Sequence, residues 1–288
     1  MRAVFIGVTA ALIFGSADFV GGMAAKRISA VRVTAIGGLA GLVILLIALP
    51  LFPSVWSPKA VLLGGITGLT GAIAVVLLYA CLAIGPMSIL SPLTAVISAV
   101  VPVLAGVVRG QQLNTLGYVA IIVALVAVIL VGFVPEKGAV RPSPKALGMA
   151  VGAGTLIGTF LILIDLTPDD SGLVPLVVSR GVNAVVMFTA IGIGALWVRR
   201  RGSAPQSHGG WKPGLGLAII AGVIDAAANA MLLLGLRLGE LTIQSVLTAL
   251  YPAGTILLAA IVLRERIAPV QVVGLLLALT AAAMLALA

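Results

Sequence analysis

Residues 85–95 read GPMSILSPLTA and residues 239–249 read GELTIQSVLTA. Both fit the pattern G-x3-I-x-S-x-L-T-A, with an offset of 154 residues. Extended without gaps to Val108 and Val262, the alignment holds ten identities in 24 positions, including Ala99/Ala253, Leu104/Leu258 and Ala105/Ala259. Apolar composition inflates chance matches, but Gly85/Gly239, Ser91/Ser245 and Thr94/Thr248 in register are harder to obtain that way. The front parts agree more loosely. Phe14-Gly15-Ser16 corresponds to Ile157-Gly158-Thr159, and Val31-Arg32 to Ser179-Arg180. The chain is a tandem of two related halves.

What each half is made of follows from composition. The protein has 288 residues, 61% hydrophobic and 9% charged, whereas a soluble domain carries about 25% charged residues. Too few polar side chains exist to coat a water-facing surface, so lipid covers much of the exterior. A bilayer core takes about 20 apolar residues per helix. On that measure the spans fall at 3–22, 31–50, 60–83, 86–108, 115–134, 146–165, 173–198, 213–236, 240–262 and 268–287. Turn and helix-breaking residues mark the seams at Pro50, Pro53, Ser57-Pro58, Gly85-Pro86 and Asn114. The runs are long and continuous, not alternating, which excludes a β-barrel.

The predicted fold is an all-α integral membrane protein of about ten transmembrane helices. Residues 1–134 form one five-helix repeat, 135–145 a linker loop and 146–288 the second repeat. The first apolar run follows Met1-Arg2 without a small-x-small cleavage site, and reads as a retained helix. An odd number of spans per repeat inverts one half against the other. That is the plan of many secondary transporters, whose solute sites lie near the midplane between the halves.

The net charge of +9 comes from residues that punctuate the apolar runs: Lys26-Arg27, Lys137 to Lys145, Arg199 to Arg201, and Arg264 with Arg266. Short basic loops of this kind fix membrane topology and give no nucleic-acid surface. Cys81 sits alone in an apolar run and His208 alone in a polar loop, so no disulfide framework, zinc cluster or haem pair is expected and no cofactor is assigned. Nothing has the form of a nucleotide-binding loop. With no intramembrane histidine or acidic cluster, an embedded enzyme is disfavoured. Pairs of small residues at four-residue spacing (Gly37/Gly41, Gly64/Gly68, Gly148/Gly152, Gly154/Gly158, Ala218/Gly222) are suited to close helix contact in lipid.

A charge in the hydrocarbon core costs about 2.5–3.5 kcal/mol on insertion scales, so each one points to a site or a partner. Asp225 lies centrally in its span, with Asn229 four residues on and therefore on the same face. The repeat equivalents are Gly71 and Val75, so this polar pair belongs to one half only. Asp225 is expected to bind a cationic group or exchange a proton, or else to pair with Arg32 or Arg180 and hold helices together. Asp18 is a second candidate, though near enough to Lys26-Arg27 to be interfacial. Arg32 and Arg180 occupy matching places and could clamp a carboxylate, or snorkel into headgroups. Asn183 lies one turn beyond Arg180, Gln244 has only Leu90 as its counterpart, and Tyr79 and Tyr251 could line a cavity. Pro252, inside the ninth span, removes a backbone hydrogen bond and offers a flexing point. Trp56, Trp197 and Trp211 fall at span ends, where an aromatic belt is expected.

The sequence resembles the drug/metabolite transporter superfamily, specifically its EamA-type ten-helix members, over its whole length. The resemblance rests on Gly15-Ser16, on Arg32 and Arg180, and on Tyr251-Pro252 placed thirteen residues before Arg264-Glu265-Arg266-Ile267, similar to a Pro…G-E-R-L signature. In the first half Gln111 stands where that signature has an acid, Pro102 is displaced, and Arg264 replaces the glycine before Glu265. The resemblance implies a plasma-membrane carrier of the bacterial inner-membrane type, exporting a metabolite, amino acid or drug-like solute, often by proton or solute exchange. A non-transporting subunit or a lipid-handling scaffold is the competing expectation. Loop charge puts the Lys26-Arg27 face in the cytoplasm, whereas the resemblance implies cytoplasmic termini, and orientation stays open between the two.

Overall fold

The computed structural model describes residues 2–84, 87–110, 114–132, 143–200, 211–262 and 269–287. Gly85-Pro86, Gln111, residues 135–142, Arg201, His208 and Arg264 to Ile267 therefore lie outside the described residues. The described chain is helical throughout: α1 (Arg2–Ala25), α2 (Ala30–Ala48), α3 (Pro58–Ile84), α4 (Met87–Val108), α5 (Thr115–Gly132), α6 (Pro144–Asp165), α7 (Val174–Arg200), α8 (Lys212–Leu238), α9 (Leu241–Thr248), α10 (Tyr251–Val262) and α11 (Pro269–Leu287). Six of these helices are long and apolar enough to cross a membrane. Ten spans result, as expected, because α9 and α10 are two parts of the ninth. The expectation of one continuous helix over 240–262 is corrected. The chain leaves the helix at Ala249 and Leu250, just ahead of Pro252.

Several seams act as caps. Ser29 accepts from the Arg32 N–H (3.4 Å) and Ser143 from the Ala146 N–H (3.1 Å). Ser57 accepts from the Ala60 N–H (3.2 Å) and Asn114 from the Gly117 N–H (2.8 Å). Each satisfies a first-turn donor that has no partner inside the helix. Pro58, Pro144, Pro213 and Pro269 stand in first turns, where the missing N–H costs nothing.

Helices of one half pack mainly on helices of the other. α1 lies along α8 and α3 along α6; α2 meets α8 and α3 meets α7; α1 meets α9 and α10 while α6 meets α4. The pairs α2–α7, α4–α9 and α5–α11 complete the set. Exchanging each helix for its counterpart maps these contacts onto one another and the last three onto themselves, as a pseudo-two-fold requires.

Small residues set the crossings. A Cβ built on Gly222 would stand 2.3 Å from the Gly37 carbonyl oxygen and 2.4 Å from its Cα, so α2 and α8 touch backbone to backbone. At Gly15 a Cβ would come within 2.2 Å of the Tyr251 carbonyl oxygen, which fixes the crossing of α1 with α10. The Gly64/Gly68 and Gly154/Gly158 pairs serve the α3–α7 and α6–α4 crossings in the same way, whereas Gly148 faces open space.

Gly222→Ala is expected to push α2 and α8 apart, at the roughly 1–3 kcal/mol typical of overpacking. Gly216→Ala, in the same helix with nothing within 4 Å of its Cβ position, is expected to leave stability unchanged or raise it. Thermal unfolding of the purified variants checks the contrast, and equal Tm values would refute the backbone contact.

Candidate functional site

Asp225 sits at the middle of α8, and its partner is Arg180, in the second turn of α7. The Arg180 guanidinium bonds the Asp225 carboxylate directly, with the side chains 12% and 27% exposed. Of the two arginines that the repeat places equivalently, α7 therefore supplies the ion pair. Asn229 closes on the same carboxylate from one turn on. Its Nδ2 donates to the Asp225 carbonyl (2.8 Å) and to Oδ1 (3.2 Å). Asp225 thus meets one donor from α7 and one from its own helix, as a carboxylate removed from water requires.

This ion pair stands between two chambers. The larger, about 110 Å³, is lined among others by Phe14 and Asp18 of α1, Phe160 of α6, Asn183 of α7, Asn229 of α8, Thr248 of α9 and Tyr251 of α10. The smaller, about 40 Å³, is lined by Tyr79, Thr34 and Gly38 among others, and shares Asp18, Arg180, Asn183 and Asp225 with the first. A cavity of about 150 Å³ in a soluble protein holds benzene, so the larger chamber is on the scale of a small organic group.

The lining obeys the repeat. Gly71, Val75 and Leu78 face the large chamber, and so do their equivalents Asp225, Asn229 and Leu232. Phe14 and Asp18 face it with their counterparts Ile157 and Leu161. The chamber therefore lies on the pseudo-two-fold between the halves. In each of these pairs that contains a polar member, only one half supplies it.

Several residues of this lining carry polar groups without a partner. The Asn183 Oδ1 and Thr248 Oγ1 atoms are buried and accept or donate no hydrogen bond among the described residues. Nor does any described side chain pair with the Asp18 carboxylate. Asn183 rests its oxygen over Gly38, where a Cβ would come within 2.7 Å. Tyr79 seats its hydroxyl end against Gly21 of α1 in the same way.

Two expected residues stand elsewhere. Gln244 is fully buried but lines neither chamber. Its Nε2 donates to the Ala3 carbonyl (3.0 Å), and its Oε1 lies between Gly7 and Gly235, so it joins α9 to α1 and α8. Its position on the first turn of α9 turns it toward the first turns of α1. Arg32 lies at the start of α2 with its guanidinium 5.3 Å from the centre of the Trp211 ring, outside both chambers. Ser98, Ser179, Phe14 and Phe160 line the large chamber without having been singled out in the sequence. Helical spacing held a signal for two of them: Phe14 is four residues before Asp18, and Ser179 four before Asn183. Trp56 and Trp211 flank α3 and α8, and Trp197 lies in the last turn of α7, at the span ends as expected. Among the described residues, no group of three His, Cys, Asp or Glu side chains could hold a metal ion.

No curated protein sequence matches the chain. A solved structure described as "Crystal structure of protein" superposes with a TM-score of 0.73 at 18% identity, covering 99% of this chain and 96% of its own, a likeness of fold alone. A family model described as the EamA-like transporter family matches the sequence twice, over residues 1–133 and 144–287, nearly the whole length. The chain thus belongs to the EamA-like transporter family, whose members are generally membrane transporters of small solutes.

Proposed function

We propose that this protein is a secondary transporter that exports a small organic solute across the plasma membrane by alternating access, with Asp225, Arg180 and Asp18 as the charged residues of its site. The observation that carries the reading is the chamber on the pseudo-two-fold, lined by both halves and by buried polar atoms that lack partners. An unpaired buried acceptor costs about 1–3 kcal/mol. Two of the three such atoms among the described residues belong to residues that line the chamber.

The charges suggest the chemistry. Two carboxylates and one guanidinium line the chamber, a formal balance of one negative charge. In a low-dielectric setting that imbalance favours one further positive charge, either a proton or the ammonium of a solute. The two compete for one vacancy, and such competition couples solute leaving in one direction to a proton entering in the other. The apolar walls, with Phe14, Phe160 and Tyr251, suit the carbon skeleton of an amino acid, metabolite or drug-like amine.

At the end of the bundle that carries the amino terminus, Arg109 of α4 pairs with Asp165 of α6 at 2.9 Å. There too Arg237 of α8 donates to the Thr167 carbonyl (2.8 Å), the Thr167 hydroxyl (2.6 Å) and the Pro168 carbonyl (2.9 Å). Alternating access requires the Arg109–Asp165 tie, which joins helices of opposite halves, to part during the cycle, whereas the Arg237 bonds lie within the second half.

A thermal-shift screen of amines, amino acids and their analogues is expected to find a stabilising solute, since binding at about 100 times Kd adds about 2.7 kcal/mol. For that solute, Asp225→Asn is expected to abolish proton-driven flux in reconstituted vesicles while the protein stays folded; unchanged flux removes Asp225 from the mechanism. The charge swap Arg180→Asp with Asp225→Arg separates the alternatives. Restored folding without transport supports a solute site, and restored transport supports a purely structural pair. A short bis-maleimide linker joining Arg109→Cys to Asp165→Cys is expected to stop flux, with Cys81 buried and out of reach. Full flux after complete cross-linking would rule out alternating access through that end.

A further inference from the structure

On the lipid-facing side, away from both chambers, an apolar groove of about 600 Å³ runs between α2, α7 and α8. One wall is the stripe Ile36, Leu39 and Val43 of α2; the other is Leu215, Ile219 and Val223 of α8. None of its lining residues faces either chamber. The groove begins at Trp211, whose ring stacks on Phe188 of α7 with centroids 6.4 Å apart. From Trp211 to Val223 the helix rises about 18 Å at 1.5 Å per residue. That is close to one leaflet of a hydrocarbon core about 30 Å thick. The groove therefore reaches from the membrane interface to the level of Asp225.

Its outer end is basic. Arg32 lies over the Trp211 ring, one helical turn before Ile36. Lys212 follows Trp211 and is exposed. Arg27, also exposed, donates to the Pro213 carbonyl at 3.4 Å, which brings the end of α1 to the same corner. Three cations, from α2, the start of α8 and the turn after α1, thus converge above an apolar slot of one-leaflet depth, with no acidic side chain among the residues of the corner from Lys26 to Arg32 and Trp211 to Leu215. Membrane position alone explains scattered basic loop residues; it does not explain their convergence over a groove with an aromatic floor.

We propose that this groove is a binding site for an anionic phospholipid, one acyl chain lying between α2 and α8 and the phosphate held by Arg32, Lys212 and Arg27. Guanidinium and ammonium groups at headgroup depth attract anionic lipids electrostatically, and basic pockets between transmembrane helices hold their headgroups. Arg32 contributes its positive charge to the corner while its flat face stays on Trp211. The seated chain braces α8 from outside, two residues before Asp225.

The test uses the full chain with Trp56→Phe and Trp197→Phe, so that Trp211 is the single remaining tryptophan of three. It is reconstituted in mixed phosphatidylcholine–phosphatidylglycerol bilayers with bromine on the acyl chains of one lipid at a time. Brominated phosphatidylglycerol is expected to quench Trp211 more strongly than brominated phosphatidylcholine at equal mole fraction, by a preference of about fivefold for each cation engaged. A companion variant retaining only Trp56, at the opposite end of the bundle, is expected to show no preference. Arg32→Gln with Lys212→Gln is expected to reduce the preference at Trp211. Equal quenching of Trp211 by both lipids overturns the proposal without any charge variant, and so does the same preference at Trp56, which would mark a general field effect.

Discussion

Helices in lipid gain nothing from hiding apolar surface from one another, so a bundle holds together only where backbones come close enough for dense packing. In this protein those places are crossings between the halves. Gly37 lies on Gly222, Gly15 on the Tyr251 carbonyl, and Gly154 on the Thr94 carbonyl. Within one half, neighbouring helices touch sparingly. Neither half could therefore close a core alone, and the chamber forms where the two sets of helices interdigitate without a small-residue contact between them. The crossings bring backbones together around it, and the larger residues Phe14, Phe160 and Tyr251 hold it open.

Symmetry built the chamber and asymmetry gave it chemistry. Gly71 and Val75 face the same space as Asp225 and Asn229, and Leu161 the same space as Asp18. Had both halves carried the acids at both places, four carboxylates would have faced the chamber in place of two, with more mutual repulsion added to the cost of desolvation. With one acid per equivalent pair, a single arginine from α7 answers one carboxylate and Asp18 is left facing the void. Asp225 and Arg180 are partly exposed to that void, where a fully enclosed pair would be sealed from it.

Much of this was legible in the amino-acid order. The repeat pointed to five helices twice, and Ser57 and Asn114 marked helix starts that the structure places at the next residue. Asp225 stood out because a charge amid Ala218 to Leu236 demands a partner. Which arginine answers it was not legible, since Arg32 and Arg180 hold matching places in the repeat and only packing turns one inward and leaves the other on Trp211. The same limit explains Gln244. Helices that are apolar on all sides carry no amphipathic stripe, so sequence shows that a polar residue lies in a span without showing which way it faces. Phe160 was hidden for this reason too, as it looks like any other apolar residue of its helix.

The ninth span shows where the equivalence of the halves fails in the backbone itself. In the repeat alignment Pro252 falls on Ser98, and α4 runs past Ser98 without interruption. Proline has no N–H to offer the Thr248 carbonyl and its ring crowds that turn. The chain responds by tightening: the Leu250 N–H bonds the Leu247 carbonyl (3.1 Å) and the Ala253 N–H the Leu250 carbonyl (3.0 Å). Irregular backbone in a membrane is tolerated only where protein buries it or where it lines a cavity. Here it does the second, since Thr248 and Tyr251 on either side of the break both face the chamber. Beyond the break α10 is fastened to α1, with the Thr255 hydroxyl donating to the Gly15 carbonyl at 3.0 Å. The backbone joint therefore lies in the same half as Asp225 and Asn229, opposite a first half whose equivalent helix is continuous and whose equivalent positions are Gly71 and Val75. Inverted halves that differ in this way cannot interchange into identical states, so the two ends of the bundle are distinct by construction.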